Sequence, residues 1–479
     1  MSNLSLEIGK RALLANKLGL DVTSNNIANV NTEGYTRRDV TFSETDPLYN
    51  RNNYLGTGLE IDKFRSFREE FFDRELRNTA SRKEGYALDE LVYQKIESFL
   101  NEPTDNGLND SVSNLFNSVE EMNNSPENMG MRENFLSKAQ ILVDRFNTIS
   151  DELTGLRTDA ADKLGINVEK ANGLLKDIAS LNGSIASARS LSNGDVQTMD
   201  NQRTVKISEL AKIVNVNVTA DKFGQVNLNV NGMNLVTGTN VNELTVKDSK
   251  DAITGERTLS VYSLDADGNV INKIEPSSGE ISSQLKHYNV TLDNLDSSGG
   301  FSLYKKLDDF ADSIIKKFNT YSVQGFGLDD KGTTAPGRSI FEPAIGKGGA
   351  GSIEISSDIK DKPRNIPLSS APGEPGNNAI GRKIANIQND GTFLDGMTPA
   401  NYYATLMGRV GTMGQESKNG TSTTSMVYDQ LNNQRTSQVG VNVDEEAVNL
   451  IKFQKAFEAA SRIINTTNEL MNTVINLGR

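Results

Sequence analysis

The residue types that carry most enzyme chemistry are scarce in this chain of 479 residues. It has no cysteine, no tryptophan and a single histidine, His287. A thiolate nucleophile, a disulfide framework and a Cys/His zinc site therefore cannot be built. A lone histidine is most often structural or solvated, so any chemistry would depend on carboxylates, which are abundant.

Three strings resemble functional motifs but lack the context that those motifs need. GKGGAG (346–351) fits a dinucleotide-binding pattern, yet the β-like SIEIS follows it where a helix should begin. LDADGN (264–269) resembles a calcium loop without its closing glutamate, and a hairpin turn explains it better. Three further carboxylates have the spacing of a solvated helix face: Asp308, Asp309 and Asp312. We predict no cofactor and no metal site, and a carboxylate-dependent cell-wall hydrolase remains the enzymatic alternative.

The stretch SNNIANVNTEGYTRR (24–38) has an unusual density of side-chain amides. Asparagine is poor inside a helix because its amide competes for backbone hydrogen bonds. These amides could satisfy backbone groups at a helix end and at a subunit contact, and the glycine would permit a turn. The candidate contact residues are Asn26, Asn29, Asn31, Gly34 and Tyr35. The alternative is a solvated helix end without a partner.

The N-terminal segment predicts a helix with two apolar faces. At about 100 degrees per residue, one stripe contains Leu4, Ile8, Ala15, Leu18 and Val22. A second stripe on nearly the opposite side contains Leu6, Leu13, Leu20 and Ile27. One partner cannot cover both stripes, so the pattern indicates packing on two sides, either inside an ordinary domain or within an assembly.

The C-terminal segment predicts the first partner of that helix. A repeat of seven residues runs through Val443, Leu450, Phe457, Ile464 and Met471, accompanied by Phe453, Ala460 and Val474. Such a seam is typical of a coiled coil. The apolar flank of the seam contains Ala456, Ile463, Leu470 and Leu477. Because this exceeds what a two-stranded coil buries, we expect neighbouring subunits to cover the rest and to order helices that are poorly ordered alone. The acidic triplet 444–446 is interpreted as a helix N-terminus.

Between the two ends the period of the apolar residues changes twice. Helical spacing begins at Phe64, Phe67 and Phe71, and from residue 135 to residue 185 it predicts a rod about 75 Å long. Near Ile213 the period becomes two, and Asn231-Gly232 indicates a hairpin. The β-rich segment should end near residues 297–300 and fold independently of the axial helices.

The predicted fold is mainly α with a β-rich insert, in which the terminal helices pair as a coiled coil. The terminal coiled-coil axial core comprises residues 1–60 and 439–479. A long helical rod domain comprises residues 61–212 and 301–438, of which 330–398 are irregular or mixed. A β-rich outer domain comprises residues 213–300.

The charge and hydropathy of the chain limit the classes of partner that it can bind. With 50 basic and 63 acidic residues the formal net charge is −13, which disfavours nucleic acid and anionic lipid. No apolar run is long enough to span a membrane, and Glu7 and Lys10 interrupt the start of the chain where a secretory signal would be apolar. We predict no nucleic-acid binding, no membrane insertion and no cleaved export signal.

Both ends of the chain resemble a known family. SNNIANVNTEGYTRR is similar to the N-terminal signature of the bacterial flagellar axial proteins, which include rod, hook and hook-associated subunits. The segment 441–477 is similar to the C-terminal signature of that family, and its Asp444-Glu445-Glu446 variant resembles the members at the hook–filament junction. Residues 314–332, IIKKFNTYSVQGFGLDDKG, are also similar to the junction members, although serine stands at 322 where that pattern commonly has histidine.

The resemblance implies a structural, non-enzymatic subunit of the flagellum that joins the hook and filament lattices. It implies four partners: further copies of the chain, the hook protein, the second junction protein (hook-associated protein 3), and an export chaperone at the C-terminal helix. It also implies secretion through the flagellar type III apparatus to the extracellular flagellum. The alternative within the family is another axial subunit, such as the hook or distal rod protein.

Overall fold

A computed structural model describes the chain except residues 1, 33, 51–52, 68, 101–106, 191–195, 251–256, 294–299, 344–348 and 478–479. The α-helices are α1 (Ser2–Ala28), α2 (Glu70–Leu100), α3 (Leu108–Asn124), α4 (Met129–Ser190), α5 (Gln197–Ile213), α6 (Glu280–Lys286), α7 (Leu303–Ser322), α8 (Ala379–Ala385), α9 (Pro399–Val439) and α10 (Val443–Leu477). A π-helical turn spans His287–Thr291, and 3-10 turns span Pro363–Asn365 and Asn386–Asn389. The described part is mainly α, as the sequence predicts.

The strands form small antiparallel sheets. They are β1 (Arg38–Glu44), β2 (Leu48–Asn50), β3 (Asn53–Leu55), β4 (Leu59–Ser66), β5 (Asn217–Ala220), β6 (Val226–Val230), β7 (Met233–Thr237), β8 (Asn240–Val241), β9 (Leu244–Lys250), β10 (Arg257–Leu264), β11 (Val270–Ile274), β12 (Phe341–Pro343) and β13 (Ile353–Ile355). Strands β5 to β8 form one sheet in sequence order, and β11-β10-β9 form another. The pairs β1-β4, β2-β3 and β12-β13 stand separately.

The central helix α4 confirms the helical spacing that begins at Phe135. It contains 62 residues, which corresponds to about 93 Å at about 1.5 Å per residue. Its buried side chains follow the predicted stripe and include Phe135, Ala139, Leu142, Phe146, Ile149, Leu153, Leu164, Ala171, Leu174, Ile178 and Ile185. Because this stripe runs along most of the helix, α4 contributes to the cores of two parts of the molecule.

Helices α2 and α9 lie antiparallel. Asp73 near the start of α2 pairs with Arg435 near the end of α9 at 3.3 Å, and the hydroxyl of Tyr403 donates to the carbonyl of Leu100 at the opposite end. The prediction that helical spacing begins at Phe64 is wrong, since Phe64 lies in β4 and α2 begins at Glu70. The spacings of three and four between Phe64, Phe67 and Phe71 fit one continuous helix, but they arise here from a strand followed by a helix.

The β-rich insert is not self-contained within residues 213–300, because it packs on α4 and α5; its folding without the terminal axial helices stays a prediction. Its buried strand residues share one hydrophobic core with the second half of α4 and with α5. A second core joins α3, the first half of α4, α7 and the segment from Ile340 to Val410. A boundary at residue 213 therefore cuts through a packed core, and deletion of 213–300 would expose apolar side chains of α4.

The predicted turns of the insert are confirmed. Asn231 and Gly232, with φ of 46° and 87°, join β6 and β7 in a hairpin. The carboxylate of Asp265 accepts the backbone N–H groups of Asp267 and Asn269, so LDADGN is the turn between β10 and β11. Helix α6 and the π-helical turn that holds His287 were not predicted, because both are short and follow strands.

Candidate functional site

The candidate site is the end of α1 and the turn that follows it, where the asparagine-rich stretch lies. Helix α1 ends at Ala28, and consecutive backbone turns place the N–H of Tyr35 on the carbonyl of Thr32. Gly34 has a φ of +75°, a conformation that costs a residue with a side chain about 1–2 kcal/mol. The chain then enters β1 at Arg38. We call residues 25–38, together with Glu445 and Glu446, the terminal joint.

Asn26 is the central amide of the terminal joint. Its side chain is 1% exposed. Nδ2 donates to the carbonyl of Arg38 at 2.8 Å, and Oδ1 accepts the backbone N–H of Arg38 at 3.1 Å and the hydroxyl of Tyr35 at 2.8 Å. A side-chain amide has an acceptor oxygen and N–H donors, as a backbone peptide group does. Asn26 can therefore bond to both the N–H and the carbonyl of Arg38, as a residue of a neighbouring strand would. This explains a buried asparagine at a helix end.

Glu446 of α10 closes the terminal joint from the other end of the chain. It is 2% exposed. One carboxylate oxygen accepts Nδ2 of Asn26 at 3.1 Å, and the other accepts Nε of Arg37 at 2.8 Å. The guanidinium of Arg37 also pairs with Glu445 at 3.0 Å and lies 5.4 Å from the ring centroid of Phe67. Burying a carboxylate carries a large desolvation penalty, and here a neutral donor on one oxygen and a charged donor on the other compensate for it.

The joint is also fixed to α5. A Cβ atom added at Gly34 would lie 2.3 Å from Cγ2 of Val205, so the backbone of the turn contacts α5 directly. Nη2 of Arg38 donates to the hydroxyl of Thr198 at 3.1 Å. The stretch 24–38 therefore connects the terminal helices with the helix that leads into the β-rich insert.

The remaining predicted amides act locally or face solvent. Nδ2 of Asn29 donates to the carbonyl and to the side chain of Asn25, both at 3.0 Å, and Oδ1 of Asn29 accepts the hydroxyl of Thr32. Asn31 is exposed. Of the predicted contact residues in this stretch, Asn26, Gly34 and Tyr35 are thus brought together, whereas Asn29 supports the turn and Asn31 lies outside it.

Helices α1 and α10 lie antiparallel and in close contact. A Cβ atom added at Gly9 would meet the side chain of Ile464 at 2.9 Å, and one added at Gly19 would meet the ring of Phe453 at 2.7 Å. The predicted residues that are half-buried are Leu4, Leu6, Ile8, Leu13, Leu18, Leu20, Val22, Ile27, Leu450, Phe453, Phe457, Ile464 and Met471. Val474 is exposed. Coiled-coil packing of this pair stays a prediction.

Sequence reasoning missed four residues of this region. Gly9 and Gly19 provide the close approach of the helices, and Arg37 and Glu446 form the ion pair that joins the chain ends. The glycines occur inside a strongly helical segment, where glycine is unfavourable unless a neighbour approaches closely. That signal was present in the sequence and could have found them.

One flank of α10 is apolar and uncovered by the described chain. Leu470 is 60% exposed and Leu477 is 81% exposed, and Ile463, Val448 and Ile451 are also exposed. Since Gly9 lies opposite Ile464 and α1 begins at Ser2, the last turn of α10 extends past the described start of α1. Apolar side chains in such a position are typical of an interaction surface.

His287 has a structural environment. It is fully buried, and its Nε2 lies 2.9 Å from Oδ1 of Asp89 in α2. Lys286 donates to the other carboxylate oxygen at 2.6 Å, and the hydroxyl of Ser283 also donates to Asp89. Burial by itself raises the pKa of Asp89, but the hydrogen bonds and charges of His287 and Lys286 outweigh it and lower this pKa to about 2. The cluster ties α6 and the π-helical turn to α2.

The carboxylates of α7 hold a loop. Asp308 is half-buried and accepts the N–H of Ala350 at 2.8 Å, and Asp312 accepts the N–H of Gly349 at 3.1 Å. The interpretation of Asp308 as a solvated group is therefore wrong. Of the string GKGGAG, residues 346–348 lie outside the described residues, and strand β13 follows its end, as the β-like SIEIS predicts. Burial raises the pKa of Asp308 to about 7, and the charge of Asp312 adds to the effect.

We expect Asp308→Asn to flatten the pH dependence of stability between pH 5 and pH 7. The folded protein keeps a proton on Asp308 in this range and the unfolded chain, whose pKa is near 3.8, does not. The contribution of Asp308 therefore decreases as pH rises, by about 2 kcal/mol over this interval. Urea unfolding of the wild type and the variant at both pH values measures the difference, and parallel pH profiles would contradict the assignment.

Two properties of the described residues concern membranes and metals. None of their helices combines the length and the apolar character that crossing a membrane requires. No group of three or more acidic or histidine side chains among them is arranged to hold a metal ion.

Models of flagellar protein families match three segments of the chain. The model described as the flagellar hook-associated protein FlgK helical domain matches residues 93–341. The model of the flagella basal body rod protein matches residues 6–36, which include most of α1 and residues 25–36 of the terminal joint. The C-terminal model of the flagellar basal body rod FlgEFG protein matches residues 433–477, which include α10.

Relatives match the chain along nearly its full length. Flagellar hook-associated protein 1 of Bacillus subtilis (strain 168) is 29% identical, covering 99% of this chain and 98% of its own length. Flagellar hook-associated protein 1 of Escherichia coli (strain K12) is 23% identical, covering 97% and 98%. Among solved structures, the flagellar hook junction protein FlgK from Burkholderia pseudomallei is 19% identical with a TM-score of 0.45, covering 58% of this chain and 47% of that chain.

Paired terminal helices that both match flagellar rod-protein models, around a long helical region, define the class of flagellar axial proteins. The FlgK model covers more than half of the residues in the chain. The chain belongs to the FlgK family of flagellar hook-associated proteins. It is a structural component of the bacterial flagellum at the junction between hook and filament, which confirms the family that its two ends predict.

Proposed function

We propose that this chain is an adaptor that assembles with copies of itself through its terminal helices. The observation that carries the proposal is the uncovered apolar flank of α10, with Leu470 and Leu477 mostly exposed. A single chain cannot cover this flank with α1, because α1 already occupies the side of α10 that holds Phe453 and Ala460. Neighbouring copies in a helical array would bury it.

The terminal joint has a defined part in this proposal. It ties α1, α10, β1 and α5 through Asn26, Arg37, Glu446 and Gly34. Asn26 and Arg37 share Glu446 of α10 as their partner, whereas Gly34 and Arg38 contact α5. These contacts together fix the orientation of the terminal pair relative to the rest of the chain. A subunit that carries load between two lattices requires such a fixed orientation, because a free hinge would let neighbouring copies adopt several registers.

The further partners follow from family membership and are part of the proposal. The hook protein would contact one end of the array and the second junction protein, hook-associated protein 3, the other. An export chaperone would bind α10 as an amphipathic helix in a groove. The chain would leave the cell through the flagellar type III apparatus and become part of the extracellular flagellum. The coiled-coil axial core and the outer position of the β-rich insert remain predictions within this proposal.

We expect Leu470→Asp to abolish filament attachment without changing the stability of the isolated chain. Leu470 is 60% exposed in the chain by itself, so the change removes little intramolecular packing. In the assembly it would bury an unpaired carboxylate, at a cost of about 3 kcal/mol or more for each contact. Swimming assays in cells that lack the native chain and thermal unfolding of the purified variant measure the two effects.

The matched control is Ile166→Asp on α4, since Ile166 is 63% exposed and lies outside the terminal helices. This variant should swim normally. Detection of Leu470→Asp in the medium separates a failure of assembly from a failure of export. Normal swimming of a secreted Leu470→Asp variant would refute the role of the α10 flank.

A further inference from the structure

A small cavity lies where the two hydrophobic cores of the molecule meet. Its volume is about 20 Å³, which is room for about one water molecule. On α4, Leu153 packs in the core that contains α3 and α7, whereas Leu164 packs in the core of the β-rich insert. The cavity lies between them, and its apolar wall consists of Leu88, Leu91, Val92, Leu156, Ala160 and Leu292.

Two polar side chains complete the wall of the cavity. They are Gln284 of α6 and His287 of the π-helical turn, and they are 3% and 0% exposed. Oε1 of Gln284 and Nδ1 of His287 have no hydrogen-bond partner among the described residues. Native interiors rarely keep a buried polar atom unpaired, because its lost hydration is not replaced. Two such side chains in the wall of one cavity indicate a ligand that bonds to both.

The carboxylate of Asp89 determines where the ring of His287 carries hydrogen. Asp89, whose pKa is lowered to about 2, is ionised at neutral pH and can only accept. Nε2 of His287 lies 2.9 Å from this carboxylate and therefore carries a hydrogen. Nδ1 is then an acceptor in the neutral ring and a donor in the charged ring, whereas Oε1 of Gln284 is an acceptor in both cases. The ligand must therefore donate to Gln284 and must be able to donate to His287 or accept from it.

Water meets these requirements, whereas ions do not. A water molecule has two hydrogens and two lone pairs, so it can bond to both side chains in either charge state of the ring. An unprotonated anion cannot donate to Gln284. A further cation is disfavoured because the ammonium of Lys286 already pairs with Asp89 at 2.6 Å. Among the described residues, no group of three acidic or histidine side chains is arranged to hold a metal ion.

We propose that one water molecule is bound in this cavity, between Oε1 of Gln284 and Nδ1 of His287. The water supplies the hydrogen bonds that these side chains lack where α6 packs against α2 and α4. It thereby stabilises the boundary between the two cores. The site lies inside a single chain, so the inference does not depend on self-assembly.

Filling the cavity distinguishes a bound water from empty space. Ala160 is 8% exposed, and Ala160→Val adds two methyl groups at the apolar wall. In empty space these groups would improve packing and slow amide hydrogen exchange in α6. If a water is bound, valine displaces it and leaves both polar atoms unpaired. We therefore expect exchange of the amides of residues 280–291 in the full chain to become about tenfold faster, since one unpaired buried group changes an opening equilibrium by about that factor.

Gln284→Met provides the matched background, because methionine has nearly the volume of glutamine but no amide. In this background the water has already lost one partner. Ala160→Val should therefore accelerate exchange by about threefold or less. Equal acceleration in both backgrounds would show overpacking in place of water loss. Unchanged or slower exchange when Ala160→Val is made in the wild type would show an empty cavity. Either result overturns the inference.

The single histidine allows a second test that needs no substitution. When the full chain is labelled with ¹⁵N in histidine alone, every imidazole signal comes from His287. We expect the Nδ1 resonance of the wild type to differ from that of an unbonded ring nitrogen, and to move toward the unbonded position in Ala160→Val. A wild-type resonance at the unbonded position would show that no water binds Nδ1, and it would reject the proposal.

Discussion

Glu446→Ala is expected to open the terminal joint and to accelerate amide hydrogen exchange at the end of α1 by roughly 100-fold. The substitution leaves Arg37 and Asn26 without the buried carboxylate that now accepts from both of them. Removing one partner of a buried ion pair typically costs about 3 kcal/mol or more, and about 1.4 kcal/mol corresponds to a tenfold change in an opening equilibrium. Exchange of the amides of residues 18–28, measured by mass spectrometry, reports this opening.

Glu445→Ala is the matched control for this prediction. Glu445 is the adjacent residue and pairs with the same arginine at 3.0 Å, but its side chain is 61% exposed. An exposed pair of this kind contributes about 0–1 kcal/mol. Its variant should therefore exchange almost as slowly as the wild type. Equal acceleration by both substitutions would show that burial of Glu446 does not hold the joint.

Gly34→Ala should detach the turn from α5 at a cost of about 3 kcal/mol, the sum of a left-handed backbone penalty and a steric clash. The φ of Gly34 is +75°, and the new Cβ would lie 2.3 Å from the Cγ2 atom of Val205. The turn or the helix must shift to relieve this contact. Hydrogen exchange of amides around Val205 in α5 measures the loss, which we expect to be close to 100-fold.

Gly337→Ala isolates the backbone part of this effect. Gly337 has the same φ of +75°, and a Cβ atom added there meets nothing within 4 Å. Its local cost should be about 1–2 kcal/mol. The double variant Gly34→Ala/Val205→Ala should recover the steric part, because it removes the methyl group that clashes. No difference between Gly34→Ala and Gly337→Ala would mean that the turn does not contact α5 as described.

The helical parts of the fold could be predicted from the sequence because their signals are local and long. The apolar spacing from Phe135 to Ile185 extends over many turns with a single one-residue phase shift after Ala160, and chance rarely maintains helical spacing for that distance. The same holds for α1 and α10, where the repeats persist to the ends of the chain. The sequence signal for the Asn-Gly hairpin was also local, since the two residues in left-handed conformations define the turn.

The parts that could not be predicted depend on contacts between distant residues. The hydrogen bond from Asn26 to Glu446 joins positions 420 residues apart, and the sequence shows only an asparagine at a helix end and an acidic triplet at a helix start. Strands β1 to β4 were missed: β2 and β3 have only 3 residues each, and β1 and β4, with 7 and 8 residues, pair only with each other. The shared core of α4 and the β-rich insert could not be predicted either. Apolar spacing shows which side of α4 is buried, but it does not show which element covers that side.

Electron microscopy of cells that lack this chain tests its assignment as a hook–filament junction subunit most directly. Such cells should carry bare hooks and release flagellin into the medium, and the wild-type chain supplied in trans should restore filaments. Filaments are missing from the cells that lack the chain because the filament lattice has no adaptor on which to begin. Ordered filaments attached to hooks in the complete absence of the chain would contradict the account.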